Sequence, residues 1–404
     1  MSETAASPLH PLRNSAFRLL WAGNTISAIG DQFYFVALPW LILQVTGSSV
    51  VLGTITMTAA IPRAAFMLVG GALSDRFSPR RIMIVAAWSR VVAVAGISTL
   101  IWTHSLRVWQ LYVLGFCFGV ADAFANPAAE TYLPSLVTLE QLPSANSLFQ
   151  SSTLLSSLVA PAPAGIFIKA FGTAPALFID AVSFLFIIGA LWRLPDPPQS
   201  TESRAQNNLI ESIVDGLRYV RSDPAIASLM VLVAVLNFAI SGPAVIGVAF
   251  IAKTKFGSAS SFGLLMSALA AGSLVGMLSA GLLKLRRRGR LLLAVSAAIG
   301  VCVGLLGQID RMTWLAIVLF LMSCAAAFIN IQLISWFQQR VEPALMGRVL
   351  SVLMFAVAGL TPISMAIAGL AIRWSLPGMF LIAGSMVLLV TLLAAMHRPV
   401  REIE

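Results

Sequence analysis

Among the ionisable residues inside the long apolar runs of this 404-residue chain, Asp31, Arg63, Asp122 and Glu130 are the candidates for chemistry. A charge in such a setting is costly and is kept where it pairs, binds or moves a proton. Asn24, Ser27, Asp31 and Tyr34 follow a 3-4-3 spacing, which places them on one stripe of a helix. Asp122, Asn126 and Glu130 step by four and form a second stripe, with Pro127 loosening the backbone beside it. Two such stripes point to a water-lined cavity. Loss of water favours the neutral form of a carboxyl there and a nearby Arg favours the anion, so a moving guanidinium or water front switches its protonation. That is the chemistry proton coupling requires. A static Asp31–Arg63 pair holding two helices together is the alternative, and Asp122 and Glu130 divide evenly between structural and functional roles. Arg90 and Asp180, also within apolar runs, read as structural.

The elements that must carry these residues follow from composition. The chain is 58% hydrophobic and 10% charged, with a mean hydropathy of +0.90, more apolar side chain than one soluble core hides. Twelve apolar runs, from 17–45 to 375–396, each approach the ~20 residues that span a bilayer. They are too long and too uniformly apolar for barrel strands. The first sixteen residues lack the apolar core of a cleaved signal, so the first run reads as a spanning helix. Cys117, Cys302 and Cys324 fall inside apolar runs and read as buried thiols, with no disulfide framework and no metal site. The net charge of +10 is placed asymmetrically. Of the 26 Lys and Arg, eighteen lie in the even-numbered gaps and termini, six in the odd-numbered gaps and two inside helices. That bias predicts both termini in the cytosol and leaves nucleic acid without support.

One stretch interrupts the membrane pattern. Residues 195–208 are rich in Pro and polar side chains, and 209–223 read as an amphipathic interfacial helix. The chain therefore divides into a six-helix bundle at 1–194, a cytosolic linker at 195–224 and a second bundle at 225–404. An offset of 210 carries Gly71, Leu73, Arg76 and Arg80 onto Gly281, Leu283, Arg286 and Arg290; later an offset of 204 carries "AFAN" (123–126) onto "AFIN" (327–330). Under the first offset Asp31 meets Ser241 and Arg63 meets Ser273. The second half keeps polarity and discards charge.

"GALSDRFSPRR" (71–81) resembles the G-x-L-A-D-R-x-G-R-K signature of the major facilitator superfamily, departing from it at Ser78 and Pro79. "GDQFYFVALPWLILQVTGSS" (30–49), "IPRAAFMLVGGALSDRF" (61–77) and "PSANSLFQSSTLLSSLVAPAPAGIF" (143–167) are similar to the drug:proton antiporter branch that includes macrolide and enterobactin exporters. The resemblance implies an all-α fold of twelve transmembrane helices in two pseudo-symmetric six-helix bundles. It also implies a conformational latch at Gly71, Asp75, Arg76, Arg80 and Arg81, in which Asp75 meets the start of the eleventh helix near 344–348. In the antiporter motif of the fifth helix, Ser147, Ser156, Ala160, Pro161, Ala164 and Gly165 keep small size where four glycines are lost. Asn237, Phe238, Ser241, Asn330 and Trp336 fall on helices that line the cavity in such a fold, beside Asn24, Ser27, Tyr34 and Asn126.

An enzyme is not indicated, because no G-x-S-x-G, H-E-x-x-H or phosphate-binding loop occurs. The expectation is a secondary transporter of the bacterial inner membrane that exports amphipathic small molecules against protons, as a monomer in the lipid bilayer and without cofactor. The alternative within that class is a carrier dedicated to one natural substrate, such as a siderophore or lysophospholipid.

Overall fold

The computed structural model describes residues 10–74, 77–196, 217–221, 223–282 and 288–396. Among them the helices run α1 Ser15–Thr46, α2 Ser49–Ser74, α3 Pro79–Trp102, α4 Val108–Tyr132, α5 Leu142–Val159, α6 Pro161–Phe171 and α7 Thr173–Arg193. After the linker come α8 Pro224–Gly242, a π-helical turn Pro243–Gly247, α9 Val248–Thr254, α10 Ala259–Leu282, α11 Arg288–Leu306, α12 Met312–Arg340, α13 Pro343–Trp374 and α14 Leu376–Met396. Among the described residues eleven spans are long and apolar enough to cross a membrane, and the α5–α6 pair, bent by 43°, makes a twelfth when taken as one span. The bend falls at Ala160–Pro161, where the proline ring removes a backbone donor from the helix. Of the amphipathic stretch 209–223, residues 217–221 are helical, while 209–216 and 222 lie outside the described residues.

Two compact units emerge, one of residues 1–41 and 58–203, the other of 42–57 and 204–404. In the first, α1 lies close on α7, because a Cβ at Gly23 would come 3.1 Å from Ile187 Cα. The α4 helix meets α2 through Gly119, where a Cβ would collide with the Ala59 carbonyl, and Ser98 on α3 donates to the Ala174 carbonyl of α7 at 2.9 Å. In the second, Gly272 and Gly276 on α10 press against the Phe320 and Cys324 carbonyls of α12, and Gly300 on α11 faces Gly384 on α14. Small residues let helices approach in this way where lipid supplies no hydrophobic drive between them. Residues 42–57 join the second unit through Gly53, whose Cβ position lies 3.2 Å from Gly369 Cα, and through Ser49, which donates to the Gly369 carbonyl at 2.8 Å.

The two halves repeat one clasp with different chemistry. Asn14 accepts from the Ala16 backbone at 2.9 Å to cap α1, and donates to the Leu136 carbonyl at 2.7 Å just beyond α4. Asp223 caps α8 through Ala225 N–H at 2.9 Å and receives Arg340, the last residue of α12, at 3.1 Å.

Candidate functional site

The first unit buries a cluster of charge. Arg90, near the middle of α3, is paired with Asp122 on α4, and its guanidinium carbon stands 5.0 Å from the centroid of Phe118 and 5.3 Å from that of Phe184. Tyr34 on α1 stacks on Phe118 at 3.9 Å and 5°. Asp31 and Asp180 are the other acids within electrostatic reach of Arg90. Asp180, on α7, has no exposed surface. Among the described residues, Asp31 Oδ1, both Asp180 carboxyl oxygens and Arg90 Nε are buried with no hydrogen-bond partner. Ser183 is the hydroxyl beside Asp180, and it donates to the Asp180 main-chain carbonyl at 2.7 Å instead of to the carboxylate.

Arg63 turns to Asp122, at 3.8 Å, and not to Asp31. The physical reason is helix packing: the contact of Gly119 with Ala59 sets the next turn of α2 beside the next turn of α4, which brings residue 63 to residue 122. Arg63 thus pairs with Asp122 and not with Asp31, the partner in the alternative reading of the sequence, and Arg90, which read as structural, takes the central place. The rings of Phe118 and Phe184 both lie within cation–π reach of its guanidinium. On the α1 stripe Ser27 and Tyr34 are buried, and Asn24 and Asp31 are half-buried. On the α4 stripe Asp122 is in the cluster, while Asn126 and Glu130 are exposed.

The second unit offers a neutral cavity of about 240 Å³, lined by Asn237, Ser241, Asn330, Leu333, Met354 and Val357 among others. Its polar centre is Asn237 Oδ1, which accepts from Thr361 at 3.2 Å and from Ser241 at 3.3 Å. Phe238 and Trp336 sit elsewhere. The Phe238 carbonyl accepts from Ser364, which ties α8 to α13, and Trp336 is buried against Phe337 with ring centroids 5.5 Å apart. Thr361 and Ser364 were not found by sequence reasoning, and no spacing pattern marks them.

The antiporter-motif residues form the bend of the fifth span. Ser156 donates to the Ser152 carbonyl at 2.8 Å, and Ala160, Pro161, Ala164 and Gly165 are buried around the break. Asp75 and Arg76 of the latch motif lie outside the described residues, and Gly71 lies in α2. Arg80 secures the start of α3 to the end of α7: it donates to the Leu191 carbonyl at 2.6 Å and to the Trp192 carbonyl at 3.1 Å. It also pairs with Asp196 at 3.3 Å, which receives Ser78 at 2.6 Å and Arg81 at 3.8 Å. The Ser78 hydrogen bond, followed by the two arginines, holds the Asp196 carboxyl below the usual carboxylate range.

The chain is 25% identical over 400 residues to macrolide efflux protein A of Streptococcus pyogenes, covering 96% of this chain and 97% of that protein. It is 24% identical over 339 residues to the enterobactin exporter EntS of Shigella boydii, covering 83% and 80%. Its fold matches the crystal structure of the nucleoside transporter NupG with a TM-score of 0.76 over 95% of this chain and 98% of that one, at 11% identity. The model of the transmembrane secretion effector family matches residues 6–404. With twelve apolar spans in two repeated bundles, the chain is a multi-pass membrane transporter that belongs to the transmembrane secretion effector family of the major facilitator superfamily.

Proposed function

We propose that this transporter exports amphipathic small molecules by alternating access and draws on a proton gradient to do so. The observation that carries the reading is the division of chemistry between the units: buried acids and arginines in one, a neutral cavity around Asn237 in the other. Titratable groups sealed among aromatics suit a proton that must wait for a conformational change, and a wall of Asn, Ser, Leu, Met and Val suits a varied ligand. Asp31 is the coupling acid in this reading, with Arg63, Asp122 and Glu130 tuning the path. The two transport halves are 1–194 and 225–404, joined by the linker 195–224. Asp75, Arg76, Arg80 and Arg81 latch one alternate state. The protein works as a monomer in a bacterial inner membrane with both termini cytosolic, the side favoured by its 18:6 distribution of Lys and Arg.

Likeness to a macrolide exporter supports a drug-like substrate, and likeness to an enterobactin exporter supports the second reading, a carrier for one siderophore. Counterflow in proteoliposomes decides between carrier and rival classes. Unlabelled substrate inside should accelerate entry of labelled macrolide or labelled enterobactin. A channel gives no acceleration and a scaffold gives no entry.

A further inference from the structure

The cluster in the first unit contains more acid than its bases can neutralise. The titratable and charged groups that meet there are Asp31 and Tyr34 from α1, Arg63 from α2, Arg90 from α3, Asp122 from α4 and Asp180 from α7. Both arginines direct their ion pairs at Asp122. Full ionisation would then leave three carboxylates against two guanidinium groups, with the surplus negative charge inside a helix bundle. A buried carboxylate without a partner is far costlier than a neutral acid.

Asp31 and Asp180 are the two acids left over, and they are neighbours. Gly30 explains the approach. A Cβ there would collide with the Ser183 side chain and lie 3.1 Å from Asp180 Oδ1, so the Asp180 carboxyl rests on the α1 backbone one residue from Asp31. Three of the four oxygens of the two acids are sealed without a donor among the described residues. Ser183, which could have supplied a donor to Asp180, is committed to a main-chain carbonyl. Arg90 Nε is likewise a buried donor without an acceptor, free to meet whichever carboxyl carries the charge. Two acids that share a confined site behave as a pair, one proton being distributed between them.

The other half of the chain shows that packing does not require these charges. The offset of 210 carries Arg90 onto Gly300, and the offset of 204 carries Asp180 onto Gly384. Those two glycines touch each other across α11 and α14. Where no charge is used, the corresponding helices close glycine on glycine.

We propose that Asp180 and Asp31 together hold a single shared proton opposite Arg90, which makes Asp180, on the sixth span, a second and unassigned member of the proton site. Its role in coupling rests on the proton-driven reading above, whereas the shared proton can be read without transport. The test is infrared spectroscopy of the purified full-length protein in detergent, titrated from neutral to alkaline pH. The wild-type should show a protonated-carboxyl stretch at neutral pH that fades as pH rises. Asp180→Asn and Asp31→Asn should each abolish it, since the remaining acid then ionises against Arg90, and Glu140→Gln, at an exposed loop site ahead of α5, should leave it intact. Asp180→Glu should retain a shifted band, which keeps the test open if Asp180→Asn fails to fold. A wild-type spectrum without the band, or a band that survives either Asn substitution, overturns the shared proton. A normal band in a protein whose transport ignores a pH gradient would sink the coupling reading and leave the proton pair standing.

Discussion

Arg90 is paired with Asp122 and sits beside the rings of Phe118 and Phe184, with the Arg90 side chain 11% exposed and that of Asp122 19% exposed. A pair this enclosed holds three helices in register, since its members come from α3 and α4 and its aromatic walls from α4 and α7. Removing Arg90 leaves Asp122 with the longer, half-exposed Arg63 pair alone, and breaking an enclosed pair costs up to about 3–5 kcal/mol. Arg90→Gln should lower the melting temperature of the detergent-solubilised protein strongly, and Arg90→Gln with Asp122→Asn should recover part of the loss. Equal melting of the single and double variants would deny that the pair matters to the fold.

Glycine contacts predict a contrast within the first unit. A Cβ at Gly119 meets the backbone of Ala59, which cannot step aside, whereas a Cβ at Gly96 meets nothing within 4 Å. Gly119→Ala should destabilise by about 1–3 kcal/mol through overpacking. Gly96→Ala should gain up to about 1 kcal/mol of helix propensity. The two melting curves, measured side by side, should shift in opposite directions, and a parallel shift would contradict the packing of α2 on α4.

How far this site was legible in the sequence depends on which link is asked for. Charges in apolar runs marked Asp31, Arg63 and Asp122 directly, and the helical period put Ser27, Asp31 and Tyr34 on one face. The bend of the fifth span at Pro161 did not show in the length or composition of its apolar run. Pairings were not legible. Arg63 meets Asp122 because of where Gly119 lets two helices touch, and that rotation is a property of packing which no spacing along one helix records. The four-residue ladder was also only half informative. It brought Asp122 into the cluster but left Asn126 and Glu130 exposed, because a spacing along one helix does not record how far a neighbour follows its face.

Acid should loosen the staple between α3 and α7. The folded-state value for Asp196 lies below its ordinary 3.8, so its contribution is present above about pH 4 and is lost as pH falls through the lower folded value. Asp196→Asn should remove that acid-dependent part of the melting profile, and Ser78→Ala should shrink it. An unchanged profile in both variants would show that the pairing carries no stability.

The neutral cavity makes its own prediction. Asn237 accepts hydrogen bonds from Ser241 and Thr361 at the polar centre of the pocket. Asn237→Leu keeps the volume and removes the acceptor, so affinity for an exported substrate should fall about three- to tenfold, the net worth of one or two hydrogen bonds. The melting temperature should change little. Binding unaltered in this variant would place the substrate away from the pocket.

Uphill transport in proteoliposomes under an imposed pH gradient tests most directly the proposed role of Asp31 in linking protons to export. The wild-type should concentrate substrate against its own gradient and should stop when an ionophore collapses the pH difference. Asp31→Asn, neutral and of similar size, should still bind substrate and exchange it downhill but should lose all response to the pH gradient. A stably folded Asp31→Asn protein that still accumulates substrate under the pH drive would contradict the account.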